Sequence, residues 1–373
     1  MPLDTIYLTR HGVRLLSPQT RLTQNLTTAI SVQHRLNWTI DHTTGKYTSQ
    51  FPTPTGNPSD PTLTSHGVRQ AQELASHIVG DKIVPKPFRV YSSPFWRCLE
   101  TIEPSVRALI AEKETQRGQG QGGGVIDEGA EFEIRVENGL GEWFGATTFF
   151  DHPTPPTLPS LTSLPLKNPK FNPLPFTLYT PRSEALLYTS PRGETILQLH
   201  NRLATALAAI IAEVDAEIQL LESTLPSEKR TSKAVFICSH AAPLIAIGRV
   251  LTGRMPEDSS EEDFLVYTAG LSTFQRRGGP VPPRKGQGFD VLAPGTRITE
   301  PKGTVVPEWE GGKGVGGGWD CVMNGDCSFL RDGAERGWHF NGEESFDTGP
   351  MADASAVPVS SPDAEVARAE TKL

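Results

Sequence analysis

Histidines and arginines follow several of the apolar runs in this chain. Arg10 and His11 come directly after the run at residues 5–9, and His240 comes shortly after the run at residues 234–238. A neutral imidazole can attack phosphorus and form a phosphohistidine, while a planar guanidinium offers paired donors that match phosphoryl oxygens. These residue types therefore predict phosphoryl-group chemistry, provided that the fold brings them together.

Two more polar residues follow short apolar runs. Arg97 lies beyond the run at residues 88–91, in a segment whose Pro94 suits the first turn of a helix. Backbone N–H groups at a helix start favour an anion, and an arginine there strengthens that preference. Glu142 follows the alternating segment 132–136 after a glycine-rich turn. Its carboxyl can protonate a leaving oxygen and later take a proton from water.

We therefore predict a catalytic set and a phosphate-binding set. His11 is the predicted nucleophile and Glu142 the general acid and base, with His240 as the third catalytic residue. The predicted phosphate-binding residues are Arg10, Arg14, Arg97 and His240. No metal or cofactor is expected, because the guanidiniums and the second histidine already offset the charge of a phosphoryl group.

The elements that must position these residues alternate between strands and helices. Apolar runs of this length predict buried strands, whose carboxyl ends line the ligand crevice of an open α/β sheet. Three helices are predicted. The first follows Thr64 and has Val68 on its apolar face, the second runs from Thr195 to about residue 225, and the third ends before Gly253. Further strands are expected at residues 264–274 and 319–323, and a short helix at residues 26–36. The fold class that follows is an open α/β sheet with helices on both faces.

Composition limits the function further. The chain has 373 residues, a net charge of −8 and a pI near 5.7, which argues against direct binding to nucleic acid. Its four cysteines form no CxxC pair, which fits a reducing intracellular compartment, either nucleus or cytoplasm. The most apolar stretch, residues 234–251, contains Ser239, His240 and Arg249, so no membrane span is expected.

Glycine and proline clusters suggest how the chain is divided. We expect one domain over residues 1–343, with glycine-rich insertions at 117–124 and 311–318 and a proline-rich insertion at 152–181. Residues 344–373 are small, acidic and proline-bearing, and are expected to form a disordered tail.

Read together, the motifs resemble a known family. They are Arg10-His11-Gly12, Leu63-Thr64 with Gly67 and Gln70-Ala71, Ser92-Ser93-Pro94 with Arg97 and Thr101, Gly193-Glu194-Thr195, and His240. In this order they resemble the phosphoglycerate-mutase-like branch of the histidine phosphatase superfamily. Residues 93–101, 139–143 and 240–242 are similar to the histidine-phosphatase domain of the fungal tau subunits of transcription factor IIIC.

The resemblance implies a three-layer α/β/α sandwich with a mostly parallel central sheet, of the phosphoglycerate-mutase-like type. It also implies hydrolysis of phosphomonoesters through a phosphohistidine on His11. The substrate would be a phosphorylated small molecule or a phosphopeptide. The alternative is a weakly catalytic or non-catalytic subunit of transcription factor IIIC, with the other subunits of that complex as partners in RNA polymerase III transcription. A mutase is less favoured, because Val13 stands where the branch commonly has an acidic or amide residue.

Overall fold

The computed structural model describes residues 2–14, 38–41, 44–49, 51–118, 126–148, 150–167, 169–181, 184–279, 296–297 and 306–341. The helix predicted at residues 26–36, the tail at 344–373 and most of the glycine-rich insertion at 117–124 lie outside this part of the chain.

A six-stranded sheet forms the centre of the described structure. Its six strands are β1 (Leu3–Arg10), β4 (Pro87–Ser92), β5 (Ile134–Val136), β7 (Lys233–Ser239), β8 (Leu271–Arg276) and β10 (Trp319–Asp326). They lie in the order β10-β8-β1-β7-β4-β5. β7 pairs in parallel with both β1 and β4, and β4 pairs in parallel with β5, whereas β8 and β10 run antiparallel at one side.

Helices cover both faces of this sheet. Every residue of β4 and β7 is buried, although successive side chains point to opposite faces, so each face must be covered. α1 packs on α2 and α5 packs on α6. The predicted mostly parallel α/β fold is confirmed. The four long helices are α1 (Ser65–Val79), α2 (Trp96–Gly118), α5 (Ile196–Glu222) and α6 (Ala241–Thr252).

Sequence signals set most helix ends. Thr64 caps α1 by accepting a hydrogen bond from the backbone N–H of Gly67, and Thr195 forms a capping box with Gln198 at the start of α5. Gly253 ends α6 in the left-handed conformation that glycine adopts easily. No helix in the described ranges is both long and apolar enough to cross a bilayer.

Shorter elements complete the fold. A two-stranded hairpin lies within the region before residue 61. The proline-rich insertion holds two short helices and a 3-10 turn. The short elements are β2 (Trp38–Asp41), β3 (Lys46–Ser49), β6 (Leu187–Tyr188), β9 (Thr296–Arg297), α3 (Leu158–Thr162), α4 (Leu164–Lys167) and the 3-10 turn Pro169–Phe171.

Two local predictions, on the inward face of α1 and on the start of β8, were wrong. Val68 is 42% exposed, because Gly67 and Gln70 hold the inward positions of the first turn of α1. The strand expected from residue 264 begins only at Leu271, after a turn in which Ala269 has a φ of +55°.

The start of α2 also differs from the prediction. The helix begins at Trp96 and not at Pro94. Its first backbone N–H is bound by the carboxylate of Asp60 at 2.9 Å, a distant residue that no local pattern connects with this helix. An acidic group at a helix N-terminus is favourable, because the helix dipole is positive there.

Candidate active site

The strand register brings the predicted residues to one edge of the sheet. Arg10 is paired with Ser239, and Ser92 is paired with both Cys238 and Val136, so the loops that follow β1, β7, β4 and β5 leave the sheet side by side. Backbone hydrogen bonds hold the first loop residues in place, from His11 N–H to the Ser239 carbonyl at 3.1 Å and from Ser93 N–H to the Cys238 carbonyl at 2.9 Å. His11, Arg97, Glu142 and His240 meet at this edge.

His11 is buried and held in one tautomer. Its Nδ1 lies 2.8 Å from the carbonyl oxygen of Gly12, which can only accept, so Nδ1 carries the proton. Nε2 then keeps its lone pair, as a nucleophile requires. Burial, together with the guanidiniums of Arg97, Arg10 and Arg14, holds the pKa of His11 well below its usual value. The ring is therefore neutral at pH 7.

His240 lies beside His11, with ring centroids 5.3 Å apart. Its Nε2 is 2.7 Å from the hydroxyl oxygen of Ser93, and its Nδ1 is 3.1 Å from Nη2 of Arg97 and 3.3 Å from Oε2 of Glu142. Burial and the neighbouring charges, first that of Arg97, hold the pKa of His240 well below its usual value. This neutral ring presents Nδ1 to the same space that His11 faces.

Arg97 is fully buried and links three other groups of the site. Nη1 donates to the Ser59 carbonyl at 3.0 Å and to Oδ1 of Asp60 at 3.3 Å, while Nη2 donates to Oε2 of Glu142 at 3.0 Å. Burial raises the pKa of Asp60 to about 6, although Arg97 opposes that shift. Asp60 thus fixes one edge of the guanidinium and leaves the other edge pointing at Glu142 and His240.

Glu142 lies between the guanidinium of Arg97 and the imidazole of His240, with its side chain 20% exposed. The loop before it is anchored from α5, because Nη1 of Arg202 donates to the Gly139 carbonyl at 2.6 Å and to the Gly141 carbonyl at 3.2 Å. The carboxylate therefore lies beside Nη2 of Arg97, in the position that an oxygen of a bound phosphoryl group would take.

The remaining two predicted arginines differ in how they are held. Arg10 donates through Nη1 to the carbonyl oxygens of Val266 at 2.9 Å and Arg336 at 2.5 Å. This leaves its other guanidinium nitrogens for a ligand. Arg14 is half-buried and its backbone forms an isolated β-bridge with Leu63, while no hydrogen bond or ion pair of its side chain is found within the described ranges. Burial lowers the pKa of Arg10 to about 10 and that of Arg14 to about 9, so both stay charged at pH 7.

The same geometry bears on metal binding. In the described part of the chain, His11, Glu142 and His240 form the cluster whose ligand atoms all lie within 4.8 Å of one another. Three nitrogen and oxygen donors can hold a zinc ion. The guanidiniums of Arg10, Arg14 and Arg97 act on this same space and favour an anion there, since their charge repels a cation.

Sequence reasoning missed three residues of the site. Asp60 lies in a proline-rich loop with no local feature to mark it. Ser93 was noted only as part of a motif, although its position just after a strand gave it the same signal as His11. Arg202 looks like an ordinary residue of α5, and only the contact with Gly139 and Gly141 shows what it positions.

Residues 50–118 match the model of the family described as the histidine phosphatase superfamily, branch 1. This segment contains both Asp60 and Arg97. The predicted resemblance to this superfamily is therefore confirmed, and it agrees with the mostly parallel sheet described above.

Comparison with individual proteins adds a different kind of relative. The chain is similar to the transcription factor tau 55 kDa subunit of Saccharomyces cerevisiae, with 24% identity over 346 residues. The match covers 91% of this chain and 59% of the yeast protein, so this chain spans less than two thirds of the length of that relative.

Solved structures of phosphate-handling enzymes are also similar. The ecdysone phosphate phosphatase of Bombyx mori, in complex with tungstate, is 20% identical, with 74% of this chain and 89% of that chain covered and a TM-score of 0.38. The phosphoglycerate mutase of Bacillus anthracis is 11% identical, with 74% and 88% covered and a TM-score of 0.37.

Proposed function

We propose that this chain is a metal-independent phosphomonoester phosphatase that forms a phosphohistidine on His11. The observation that carries the proposal is the meeting of two neutral histidines, a carboxylate and a fully buried arginine at one sheet edge. Arginine and histidine groups placed in this way stabilise the negative charge that a phosphoryl group carries during in-line transfer.

The chemistry has two balanced steps. In the substrate complex, Nε2 of His11 attacks phosphorus and forms the P–N bond as the P–O bond to the leaving group breaks. Glu142, which carries a proton at this stage although it is a carboxylate in the free protein, gives that proton to the leaving oxygen. Glu142 then takes a proton from a water molecule, whose oxygen attacks phosphorus while the P–N bond breaks. Inorganic phosphate leaves, and both His11 and Glu142 return to their starting states. Arg97 binds the phosphoryl oxygens throughout, and His240 joins it in the tautomer that carries the proton on Nδ1 and accepts a hydrogen bond from the Ser93 hydroxyl at Nε2.

Hydrolysis of an aryl phosphate by the purified chain tests this proposal. His11→Ala should abolish turnover, whereas His339→Ala should not, because His339 is an exposed histidine paired with Glu262 on the surface. The phosphoenzyme should be trapped with labelled substrate and mapped to His11. Equal rates for the wild type and His11→Ala would overturn the proposal.

We infer a second candidate function from the yeast relative. Similarity over 91% of this chain to a transcription factor subunit supports a role as a nuclear assembly subunit, in which the fold serves as a docking surface. Affinity purification of the tagged chain from its own cells should then recover other subunits of transcription factor IIIC. Recovery of none of them would contradict this function. His11→Ala separates the two candidates, because it should stop catalysis and leave assembly unchanged.

A further inference from the structure

The motif Gly193-Glu194-Thr195 contains one residue that the fold alone does not explain. Thr195 caps α5, and Gly193 has a φ of +73° and no room for a side chain, because a Cβ there would lie 2.2 Å from the Gly145 carbonyl oxygen. Glu194 lies between them and is buried, with its side chain 9% exposed. A buried carboxylate is costly unless it is paired and hydrogen-bonded, so its partners indicate its role.

Glu194 forms a buried ion pair with Arg202. Nε of Arg202 donates to both carboxylate oxygens at 3.0 Å, and Nη2 donates to one of them. This contact uses one edge of the planar guanidinium and so fixes its orientation. The remaining nitrogen, Nη1, donates to the carbonyl oxygens of Gly139 and Gly141. The carboxylate of Glu194 therefore fixes the group that anchors the segment before Glu142.

The backbone of Glu194 holds the segment after Glu142. Its N–H donates to the Phe144 carbonyl at 2.9 Å, and its carbonyl accepts from the Trp143 indole N–H at 2.9 Å. The backbone N–H of Trp143 in turn donates to Oε1 of Glu142 at 3.2 Å. Glu142 thus lies between two anchored segments, and the anchors of both come from Glu194 and its partner.

These anchors matter most when a phosphoryl group is bound. In the free protein, the Glu142 carboxylate contacts Nη2 of Arg97 at 3.0 Å and Nδ1 of His240 at 3.3 Å. A phosphoryl group takes both of these partners in the proposed mechanism, so the backbone anchors then decide where the carboxyl lies. A general acid must be within hydrogen-bond reach of the leaving oxygen, and a shift of about 1 Å can cost about 10²-fold in rate.

We propose that Glu194, acting through Arg202, positions Glu142 as the general acid and so permits hydrolysis of phosphomonoesters with poor leaving groups. This inference rests on the proposed phosphatase function. Glu194 is a positioning residue, because it touches neither the substrate nor the reacting atoms. An alkoxide is a strong base and needs a proton as it leaves, whereas para-nitrophenolate is a weak base and needs little help from an acid.

The dependence of kcat/KM on the leaving group tests the proposal. This constant covers the reaction up to cleavage of the P–O bond, the step in which Glu142 donates its proton. Glu194→Gln should lower kcat/KM for phenethyl phosphate about 10²-fold more than kcat/KM for para-nitrophenyl phosphate. The ratio of the two constants should therefore rise. Glu142→Gln, which removes the acid itself, should raise this ratio at least as much.

Two further variants separate positioning from folding. Glu194→Gln leaves the Arg202 charge buried without a counter-charge, which destabilises the chain. The double variant Glu194→Met, Arg202→Met removes both charges, so it should be more stable, and it should show the same rise in the ratio. Glu217→Gln, also on α5, weakens contacts with Arg89 Nε at 2.7 Å and Arg135 Nη1 at 2.5 Å. It should lower Tm and leave the ratio unchanged.

The ratio also decides against the proposal. A ratio equal to that of the wild type, in either Glu194 variant that is folded by circular dichroism, would overturn the positioning role and leave the phosphatase proposal intact. An equal rise in Glu217→Gln would do the same, because it would show a general effect of lost stability. If the wild type hydrolyses neither substrate, the phosphatase proposal and the role of Glu194 are both wrong.

Discussion

Replacement of Glu142 by glutamine should separate binding from catalysis. The Glu142 carboxylate lies 3.0 Å from Arg97 Nη2 and 3.3 Å from His240 Nδ1, the two groups that must hold a phosphoryl oxygen. An incoming oxyanion therefore meets a negative charge already in place. Glutamine keeps the size and an acceptor oxygen but removes that charge, so it imitates the protonated acid. We expect Glu142→Gln to bind an oxyanion more tightly and to turn over more slowly.

The size of the binding effect follows from the distances. The ligand atoms of His11, Glu142 and His240 lie within 4.8 Å of one another, so a bound oxyanion would be within roughly 5 Å of the carboxylate. Two unit charges at roughly 5 Å repel by about 3 kcal/mol at an effective dielectric constant of about 20. Since the Glu142 side chain is 20% exposed, solvent screens part of this. We expect a gain of about 1–2 kcal/mol, or about 5- to 30-fold in Kd.

Calorimetric titration with tungstate at pH 7.5 measures the binding effect, and steady-state hydrolysis of an aryl phosphate measures kcat. Loss of the general acid should lower kcat by about 10²- to 10⁴-fold. Glu228→Gln, at an exposed glutamate on a 3-10 turn far along the chain, serves as the control and should change neither value. Weaker tungstate binding to Glu142→Gln, or an unchanged kcat, would refute the proposed arrangement.

Three further predictions concern residues around the site. Ser93→Ala removes the hydroxyl that lies 2.7 Å from His240 Nε2. Because a buried hydrogen bond is lost, kcat should fall by about tenfold, and the acidic limb of the pH profile of kcat/KM should move. Gly67→Ala places a Cβ 2.2 Å from the Val13 carbonyl oxygen and should lower the unfolding free energy by about 1–3 kcal/mol in denaturant titrations. Burial lowers the pKa of His200 to about 4. Below pH 6.5 the unfolded chain therefore takes up a proton at this residue that the folded chain does not, so lowering the pH from 7.5 to 5 should reduce the unfolding free energy by about 2 kcal/mol. His200→Gln should remove this loss.

These three predictions have distinct controls. A loss of kcat in Ser93→Ala with an unmoved pH profile would show that Ser93 does not position His240. Gly118→Ala is the matched control for Gly67→Ala, because a Cβ at residue 118 meets nothing within 4 Å, and its stability should be unchanged or higher. The same acid sensitivity in His200→Gln as in the wild type would contradict the assignment to His200.

Much of the sheet was predictable because its signals are local. The continuous apolar run before His240 predicts a strand buried on both faces, and the structure extends it by one residue at each end, to Lys233–Ser239. The position of a polar residue just after such a strand is enough to place it at the sheet edge. Residues 264–270 were predicted as the start of a strand and do not form one. The ring of Phe264 packs on Gly248 of α6, and the chain then turns at Ala269.

The sequence did not predict which groups bind the site residues, because those groups lie far from them along the chain. Arg97 and Asp60 are 37 positions apart, and nothing in the loop that holds Asp60 distinguishes it from other surface acids. Arg10 was predicted as a phosphate ligand from its position at the end of β1. The structure gives it an additional role, since one of its nitrogens binds the backbone of residues 266 and 336.

By itself, the sequence determined the kinds of groups present and the order in which strands deliver them, because apolar periodicity and caps act within a few residues. It thereby also determined that His11, Arg97, Glu142 and His240 each follow a buried element. Tertiary structure alone decided the tautomer of His11, the neutral state of both histidines and the groups that hold each guanidinium. Those properties depend on burial and on contacts between residues far apart in the chain, and they exist only once the strand ends are packed together.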